Sequence, residues 1–101
     1  MENLNVNAWV NFKDNEDAFL LDVRTAEEFN EGHIKGAKNI DVFSPNFQAE
    51  VEKLDKTKDT YIVCRSGGRS ASAGNAMETM GFKKVSNLDG GMMAWMGEVE
   101  N

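Results

Sequence analysis

One stretch, Tyr61 to Ser70, constrains this chain of 101 residues more than any other. It reads Tyr-Ile-Val-Cys-Arg-Ser-Gly-Gly-Arg-Ser, and its apolar start ends at Cys64, the one cysteine of the chain. The alanine-rich segment that follows, from Ser70 to Met80, is typical of a helix and stops at Gly81. The pattern therefore predicts that Cys64 lies where a strand hands over to a helix N-terminus.

The loop after Cys64 favours the thiolate form of this cysteine. Unpaired N–H groups at a helix start and the helix dipole both attract negative charge. Gly67 and Gly68 allow the loop to curl with its N–H groups inward, and Arg65 and Arg69 add positive charge. A cysteine that ends an apolar strand is by itself typical of a small buried hydrophobic residue. The loop changes that interpretation, because the thiolate is the nucleophilic form.

The distribution of charge supports a site for a small anion. No Asp or Glu occurs between Asp59 and Glu78, so Arg65 and Arg69 give this window a charge of +2 in a chain of net charge −6. The acidic balance argues against binding to nucleic acid or to an anionic membrane.

Length and composition predict a single domain over residues 1–101. Apolar residues make up 41% and charged residues 28% of the chain, as in globular proteins. No apolar run approaches the roughly 20 residues of a membrane-spanning helix, and the first residues lack the pattern of a secretory signal. A single cysteine cannot form an internal disulfide, which favours a reducing compartment. We therefore expect a cytoplasmic protein with no membrane partner.

The order of the predicted elements indicates an α/β fold. Strands are predicted over residues 18–23, 37–40, 60–63 and 84–88, and helices over residues 25–31, from 44 onward, 70–80 and 92–98. Alternating strands and helices predict a central, mainly parallel sheet of four to five strands with helices on both faces. Ligands of such folds bind beyond the carboxyl ends of the strands, which is where Cys64, Asp22 and Arg24 are expected.

Several helix boundaries have sequence signals of their own. Thr25 and Glu28 have the spacing of a capping box, and Ser44 followed by Pro45 predicts an N-cap and a first helical residue. Asn7 is predicted to cap a short helix near the N-terminus. Residues expected to point inward from the helices are Trp9, Val10, Phe12, Phe47, Val51, Leu54, Ala73, Ala76, Met77 and Met80.

Four separated motifs resemble those of the rhodanese-like sulfurtransferases, in the same order. They are Leu-Leu-Asp-Val-Arg at residues 20–24, Glu-Phe-Asn-Glu-Gly-His-Ile-Lys-Gly-Ala-Lys-Asn-Ile at 28–40, Cys-Arg-Ser-Gly-Gly-Arg-Ser at 64–70, and Leu-Asp-Gly-Gly-Met-Met-Ala-Trp at 88–95. The resemblance covers about the whole chain and implies a rhodanese-like fold in a single domain.

The resemblance also implies roles for individual residues. Cys64 is the expected catalytic nucleophile, and the expected donor-binding residues are Arg65, Ser66, Gly67, Gly68, Arg69 and Ser70. Asp22 and Arg24 either support the site from behind or serve only as strand-end structure. His33 is interpreted as a packing residue, because the family's pattern uses no catalytic histidine. Met92 and Met93 are candidates for the pocket mouth, and Trp95 for the core.

The implied activity is sulfur transfer through a persulfide on Cys64. The donor is a small anion such as thiosulfate, and the acceptor is cyanide or a thiol, including that of a thioredoxin-like or other protein. We expect no cofactor, and one Cys with one His makes no set of metal ligands.

Two other functions remain open at this point. Phosphatases and arsenate reductases of the Cys-x5-Arg kind use a similar loop, but here four residues separate Cys64 from Arg69. A non-catalytic or dedicated persulfide-carrier module that binds a partner protein would keep the same fold. A dithiol oxidoreductase of the Cys-x-x-Cys kind is excluded, because a second cysteine is missing.

Overall fold

The computed structural model describes residues 1–9, 15 and 17–101, and it is built around a parallel sheet of five strands. The strands of this sheet are β1 (Glu2–Leu4), β2 (Ala18–Asp22), β4 (Lys38–Asn39), β5 (Asp59–Val63) and β6 (Lys84–Leu88). Their spatial order is β1-β6-β5-β2-β4, so β5, which leads to Cys64, lies at the centre. The α/β fold predicted from the sequence is confirmed.

Five helices and one small sheet complete the described architecture. The helices are α1 (Val6–Trp9), α2 (Ala26–Glu31), α3 (Phe47–Glu52), α4 (Gly68–Thr79) and α5 (Gly91–Ala94). Two short strands, β3 (His33–Ile34) and β7 (Val99–Glu100), pair antiparallel away from the main sheet. In the described ranges, no helix has the length and apolar content needed to cross a membrane.

Side chains that alternate along the central strands form a hydrophobic core on each face of the sheet. Leu21 and Ile62 belong to one core cluster, whereas their neighbours Leu20 and Val63 belong to the other. The first cluster takes residues from α3 and α4, including Val51, Ala73 and Met77. The second takes Trp9 from α1 and, from the C-terminal part, Leu88, Met92 and Trp95. This two-sided burial fixes the sheet so that the carboxyl ends of β2 and β5 lie side by side.

Some local predictions are wrong. Ser44 and Pro45 were predicted as the N-cap and the first residue of a helix, but α3 begins at Phe47 and its N-cap is Asn46. Ser44 and Pro45 instead belong to a preceding turn, in which the carbonyl of Ser44 accepts the N–H of Phe47. The last helix covers residues 91–94, not 92–98, because the backbone becomes extended at Trp95.

The inward face of α4 and the cap of α1 also differ from the predictions. Gly74 is buried on α4, whereas Ala76 is exposed. Asn7 lies inside α1, and Asn5 provides the cap by accepting the N–H of Ala8 at 3.0 Å. The predictions for Val10 and Phe12 fall outside the described residues.

Glu28 joins α2 to α4. Its carboxylate completes the predicted capping box with Thr25, and its two oxygens also accept from Arg69 at 2.8 and 2.9 Å. The hydrogen bond from Arg69 is the main reason why the pKa of Glu28 falls to about 2, with a smaller contribution from Thr25 that opposes the effect of burial. This pair connects residues 41 positions apart in the chain.

We expect Glu28→Gln to lower the free energy of unfolding by about 1–2 kcal/mol at pH 7, because it removes the charge that pairs with Arg69. The effect is no larger because the side chain is partly exposed to solvent. Glutamine keeps the capping box but loses the charge. The pKa of Glu28 is depressed on folding, so its contribution is complete above about pH 4.5 and is lost as the pH falls toward 2. In urea unfolding across this range, the free energies of unfolding of the parent and the variant should converge as the pH falls.

Glu27→Gln, which removes an exposed carboxylate from the same helix, is the control and should change the free energy of unfolding by less than about 0.5 kcal/mol. A gap between parent and Glu28→Gln that does not depend on pH would contradict this account.

Candidate active site

The centre of the candidate site is the sulfur of Cys64, which follows β5 directly. Its side chain is fully buried, and the backbone N–H of Gly67 donates to its Sγ at 3.0 Å. Gly67 has φ of 105°, a left-handed conformation that favours glycine. A Cβ atom at this position would also lie 3.2 Å from the backbone nitrogen of Gly90. The turn that aims this N–H at the sulfur therefore requires glycine.

Ser70 and the start of α4 complete the environment of the sulfur. The Ser70 hydroxyl lies 3.3 Å from Sγ, and the 12-residue helix α4 begins beside it. Burial is the largest single influence on the pKa of Cys64 and raises it. Hydrogen bonds from the Ser70 hydroxyl and from the N–H groups of Ser70, Gly67 and Ser66 outweigh burial, so the pKa lies below its ordinary value. This arrangement favours a nucleophilic thiolate.

The N-terminus of α5 holds the backbone of the cysteine loop. Met92 donates its N–H to the carbonyl of Cys64 at 2.8 Å, and Met93 donates to that of Arg65 at 3.0 Å. Gly91 has φ of 57°, and a Cβ atom there would lie 2.4 Å from the carbonyl oxygen of Cys64. The Gly-Gly pair at the start of α5, with Gly90 as N-cap and Gly91 as first helical residue, therefore allows close contact between the two segments.

Asp22 and Arg24 form a buried ion pair at the carboxyl end of β2. Nη2 of Arg24 lies 2.8 Å from Oδ2 of Asp22 and also donates to the carbonyl of Gly32 at 2.7 Å. The amide of Asn39 donates to the backbone carbonyls of both residues. The pair thus joins β2, β4 and the turn after α2, next to β5.

The two arginines of the loop have different surroundings. Arg65 is exposed and lines a cavity at this edge of the sheet. Arg69 is held by Glu28 through both terminal nitrogens, and its guanidinium lies 5.7 Å from the ring centre of Phe43. Glu28 therefore balances much of the positive charge that the sequence window indicated.

The cavity beside the loop has a volume of about 450 Å³. Its wall combines charged and apolar side chains with one glycine: Arg24, Glu28, Glu31, Gly32, Arg65, Met92, Met93 and Val99. The prediction that Met92 and Met93 lie at the pocket mouth agrees with this lining. Cys64 does not belong to this wall, and its side chain is fully buried.

Other predicted residues lie around this centre. Ser66 is exposed in the loop, and Gly68 is exposed at the first position of α4. His33 stacks on Phe29 at 3.7 Å and lies 3.5 Å from Glu100, so it serves the small β3–β7 sheet. Val99 was not predicted from the sequence, and the pairing of β7 with β3 brings it to the cavity.

Asn87, a buried residue of β6 that contacts Ser70, was not predicted from the sequence either. A polar residue in a strand expected to be covered on both faces was the signal that could have found it.

Comparison with known proteins agrees with this geometry. Residues 6–98 match the model of the rhodanese-like domain family. The chain is 42% identical over 85 residues to the Bacillus subtilis (strain 168) protein named "Putative sulfurtransferase YtwF", covering 84% of this chain and 80% of that protein. It is 32% identical over 94 residues to "Thiosulfate sulfurtransferase GlpE" of Shewanella oneidensis, covering 93% and 91%.

A solved structure gives the same result for the fold. The crystal structure of a rhodanese-like domain protein from Staphylococcus aureus superposes with a TM-score of 0.84 at 30% identity, covering 99% of this chain and 97% of that one. Two other relatives are longer proteins, and the chain covers 43% and 58% of their lengths. The family model, the similar sequences and the fold agree, and the chain belongs to the rhodanese-like domain family, whose named relatives include sulfurtransferases.

Proposed function

We propose that this protein transfers sulfane sulfur from a small anionic donor such as thiosulfate to a thiophilic acceptor, with Cys64 carrying the sulfur as a persulfide. The observation that carries the proposal is the sulfur of Cys64 at the start of α4, with the Gly67 N–H at 3.0 Å and the Ser70 hydroxyl at 3.3 Å. These donors stabilise negative charge on sulfur, which a nucleophile and a persulfide both need.

In the first step, the thiolate of Cys64 attacks the outer sulfur of thiosulfate. A new S–S bond forms on Cys64, the S–S bond of thiosulfate breaks, and sulfite leaves with the bonding electron pair. The negative charge moves to the outer sulfur of the persulfide. In the second step, cyanide or a thiolate attacks this outer sulfur, and Cys64 leaves as the thiolate. The cycle needs no cofactor or metal ion.

Arg65 is the better candidate of the two loop arginines for holding the donor. It is exposed on the cavity wall, whereas both terminal nitrogens of Arg69 already donate to Glu28. A cation that is not already committed to a carboxylate can exchange water for an anionic ligand at lower cost. Because the Cys64 side chain is fully buried, the donor reaches Sγ only when neighbouring side chains move.

The surroundings of Arg69 argue against a phosphatase or arsenate reductase. The Cys-x5-Arg class has five residues between Cys and Arg, whereas here four residues separate Cys64 from Arg69, and the guanidinium pairs with Glu28. This supports sulfur transfer over hydrolysis of a phosphate ester.

A dedicated carrier that delivers sulfur to a protein is the second candidate function. Met93 and Val99 line the cavity and are 73% and 56% exposed, so they present apolar surface at its mouth. Such a rim suits a protein acceptor whose cysteine lies on an apolar surface. A persulfide that passes to reduced thioredoxin but not to cyanide would favour the carrier.

Incubation with thiosulfate should increase the intact mass of the parent protein by one sulfur atom, and Cys64→Ser should show no gain. Serine forms no anion at neutral pH, so it cannot attack the donor. It is nearly isosteric with cysteine, so the circular dichroism spectrum of the variant should remain that of the parent. Hydrolysis of an aryl phosphate by the parent without any sulfur uptake would overturn the proposal in favour of a phosphatase.

Arg65→Ala should raise KM for thiosulfate at least about tenfold, because a charge-assisted contact contributes about 1.5–3 kcal/mol. Arg69→Ala should change KM less and instead lower stability, since it breaks the pair with Glu28. Steady-state kinetics with cyanide as acceptor measures both variants. Lys84→Ala, which removes a positive charge at the opposite edge of the sheet, is the control and should leave KM unchanged. A larger effect on KM from Arg69 than from Arg65 would show that the roles are assigned the wrong way round.

A further inference from the structure

Asn87 lies behind the cysteine loop and contacts two of its residues. It belongs to β6, is 2% exposed, and its Nδ2 donates to the carbonyl of Gly67 at 3.2 Å and to Oδ1 of Asn3 at 3.0 Å. A backbone carbonyl can only accept, so the contact with Gly67 fixes which end of the amide is nitrogen. The oxygen of the Asn87 amide therefore faces Ser70, and the Ser70 hydroxyl donates to it.

The Ser70 hydroxyl has one hydrogen and three acceptors within reach. These are Oδ1 of Asn87, the carbonyl of Gly67 at 3.2 Å and the sulfur of Cys64 at 3.3 Å. In the described part of the chain, Ser70 is the one donor to Oδ1 of Asn87. When the hydroxyl turns to the sulfur, a buried carbonyl oxygen loses its donor, which is unfavourable. Asn87 and Cys64 thus compete for the same hydrogen.

We propose that Asn87 is a positioning residue for Cys64. While the sulfur is a thiol, Oδ1 of Asn87 accepts the hydrogen bond from the Ser70 hydroxyl. When the sulfur becomes an anion, the hydroxyl donates to the sulfur instead. This inference rests on the proposed function of Cys64 as a nucleophile. In the thiol state, the S–H donates to Oγ of Ser70 and the hydroxyl donates to Asn87. When the thiol proton leaves to solvent, the hydroxyl rotates and donates to the thiolate. No covalent bond other than S–H changes.

The same hydrogen contributes strongly to the acidity of the thiol. Burial has the largest influence on the pKa of Cys64 and raises it. The hydrogen bond from the Ser70 hydroxyl has the next largest influence and lowers this pKa. The charged groups around this edge of the sheet include Asp22, Arg24, Glu28, Glu31, Asp41, Arg65 and Arg69, and they are the same in every variant considered below. Asn87 therefore limits the acidity of Cys64 through its contact with Ser70, and its removal should make the thiol more acidic. Its second contact with the loop, to the carbonyl of Gly67, is lost from Asn87→Ala with or without Ser70, so a double-mutant cycle separates the two effects.

A double-mutant cycle on the alkylation of Cys64 tests this directly. The pH midpoint of the iodoacetamide rate should fall by about 0.5–1 pH unit in Asn87→Ala, because Ser70 is then free to donate to the sulfur. It should rise in Ser70→Ala, and the further change Asn87→Ala should then have no effect. Asn3→Ala, which removes the other partner of the same Nδ2, is the control and should leave the midpoint of the parent unchanged.

A second measurement uses the parent protein and so does not depend on the stability of Asn87→Ala. In NMR spectra, the side-chain amide of Asn87 should titrate with the midpoint of Cys64, and this response should vanish in Ser70→Ala. An Asn87 amide that ignores the titration would overturn the inference, as would an Asn87→Ala midpoint that rises or that shifts equally without Ser70. Neither readout involves sulfur transfer, so the inference can fail while the thiosulfate mass gain stands, and the reverse.

Discussion

The hydrogen bond from the backbone N–H of Gly67 to the sulfur of Cys64 is the contact on which the rest of the site depends. It exists because Gly67 takes a left-handed conformation that a side chain would disfavour. The carbonyl oxygen of the same residue accepts from Asn87 and lies 3.2 Å from the Ser70 hydroxyl, so this one glycine connects the sulfur, the helix start and β6. Close packing against Gly90 leaves this turn little room to change. The sulfur environment is therefore defined by backbone geometry more than by charged side chains.

Charge acts at a second level in this site. Burial of Cys64 works against the thiolate, and hydrogen bonds from the loop amides and Ser70 overcome it. Of the two arginines in the cysteine loop, Arg69 is paired with Glu28, whereas Arg65 lines the cavity. The pair of Arg69 with Glu28 connects α4 to α2, so it supports the loop from outside. Stabilisation of the sulfur and binding of the anion are thus assigned to different groups.

Features encoded by neighbouring residues were predictable from the sequence. The strand that ends at Cys64, the capping box of Thr25 and Glu28, and the helix that ends before Gly81 all appear in the structure. Their signals are apolar runs, cap spacing and glycine, which act within a few residues. The parallel sheet followed from the order of these elements.

Features that depend on distant parts of the chain were not predictable. Nothing local to Glu28 indicates that Arg69 lies against it, because that contact forms only when α2 and α4 pack. Strand β7 has two residues, and its pairing with β3 depends on where the chain turns after Trp95. Asn87 is polar within a buried strand, but its partners Gly67 and Ser70 could not be predicted, because they become its neighbours only when the chain folds.

The central claim is that backbone amides and Ser70 lower the pKa of Cys64 below its ordinary value, in spite of its burial. The most direct test is an NMR titration of the Cβ resonance of Cys64 in the parent protein, because this signal reports ionisation of the one thiol without requiring access for a reagent. The account predicts a midpoint below the value of about 8.5 that is typical of a free cysteine. A midpoint at or above that value would show that burial prevails, and it would contradict the account.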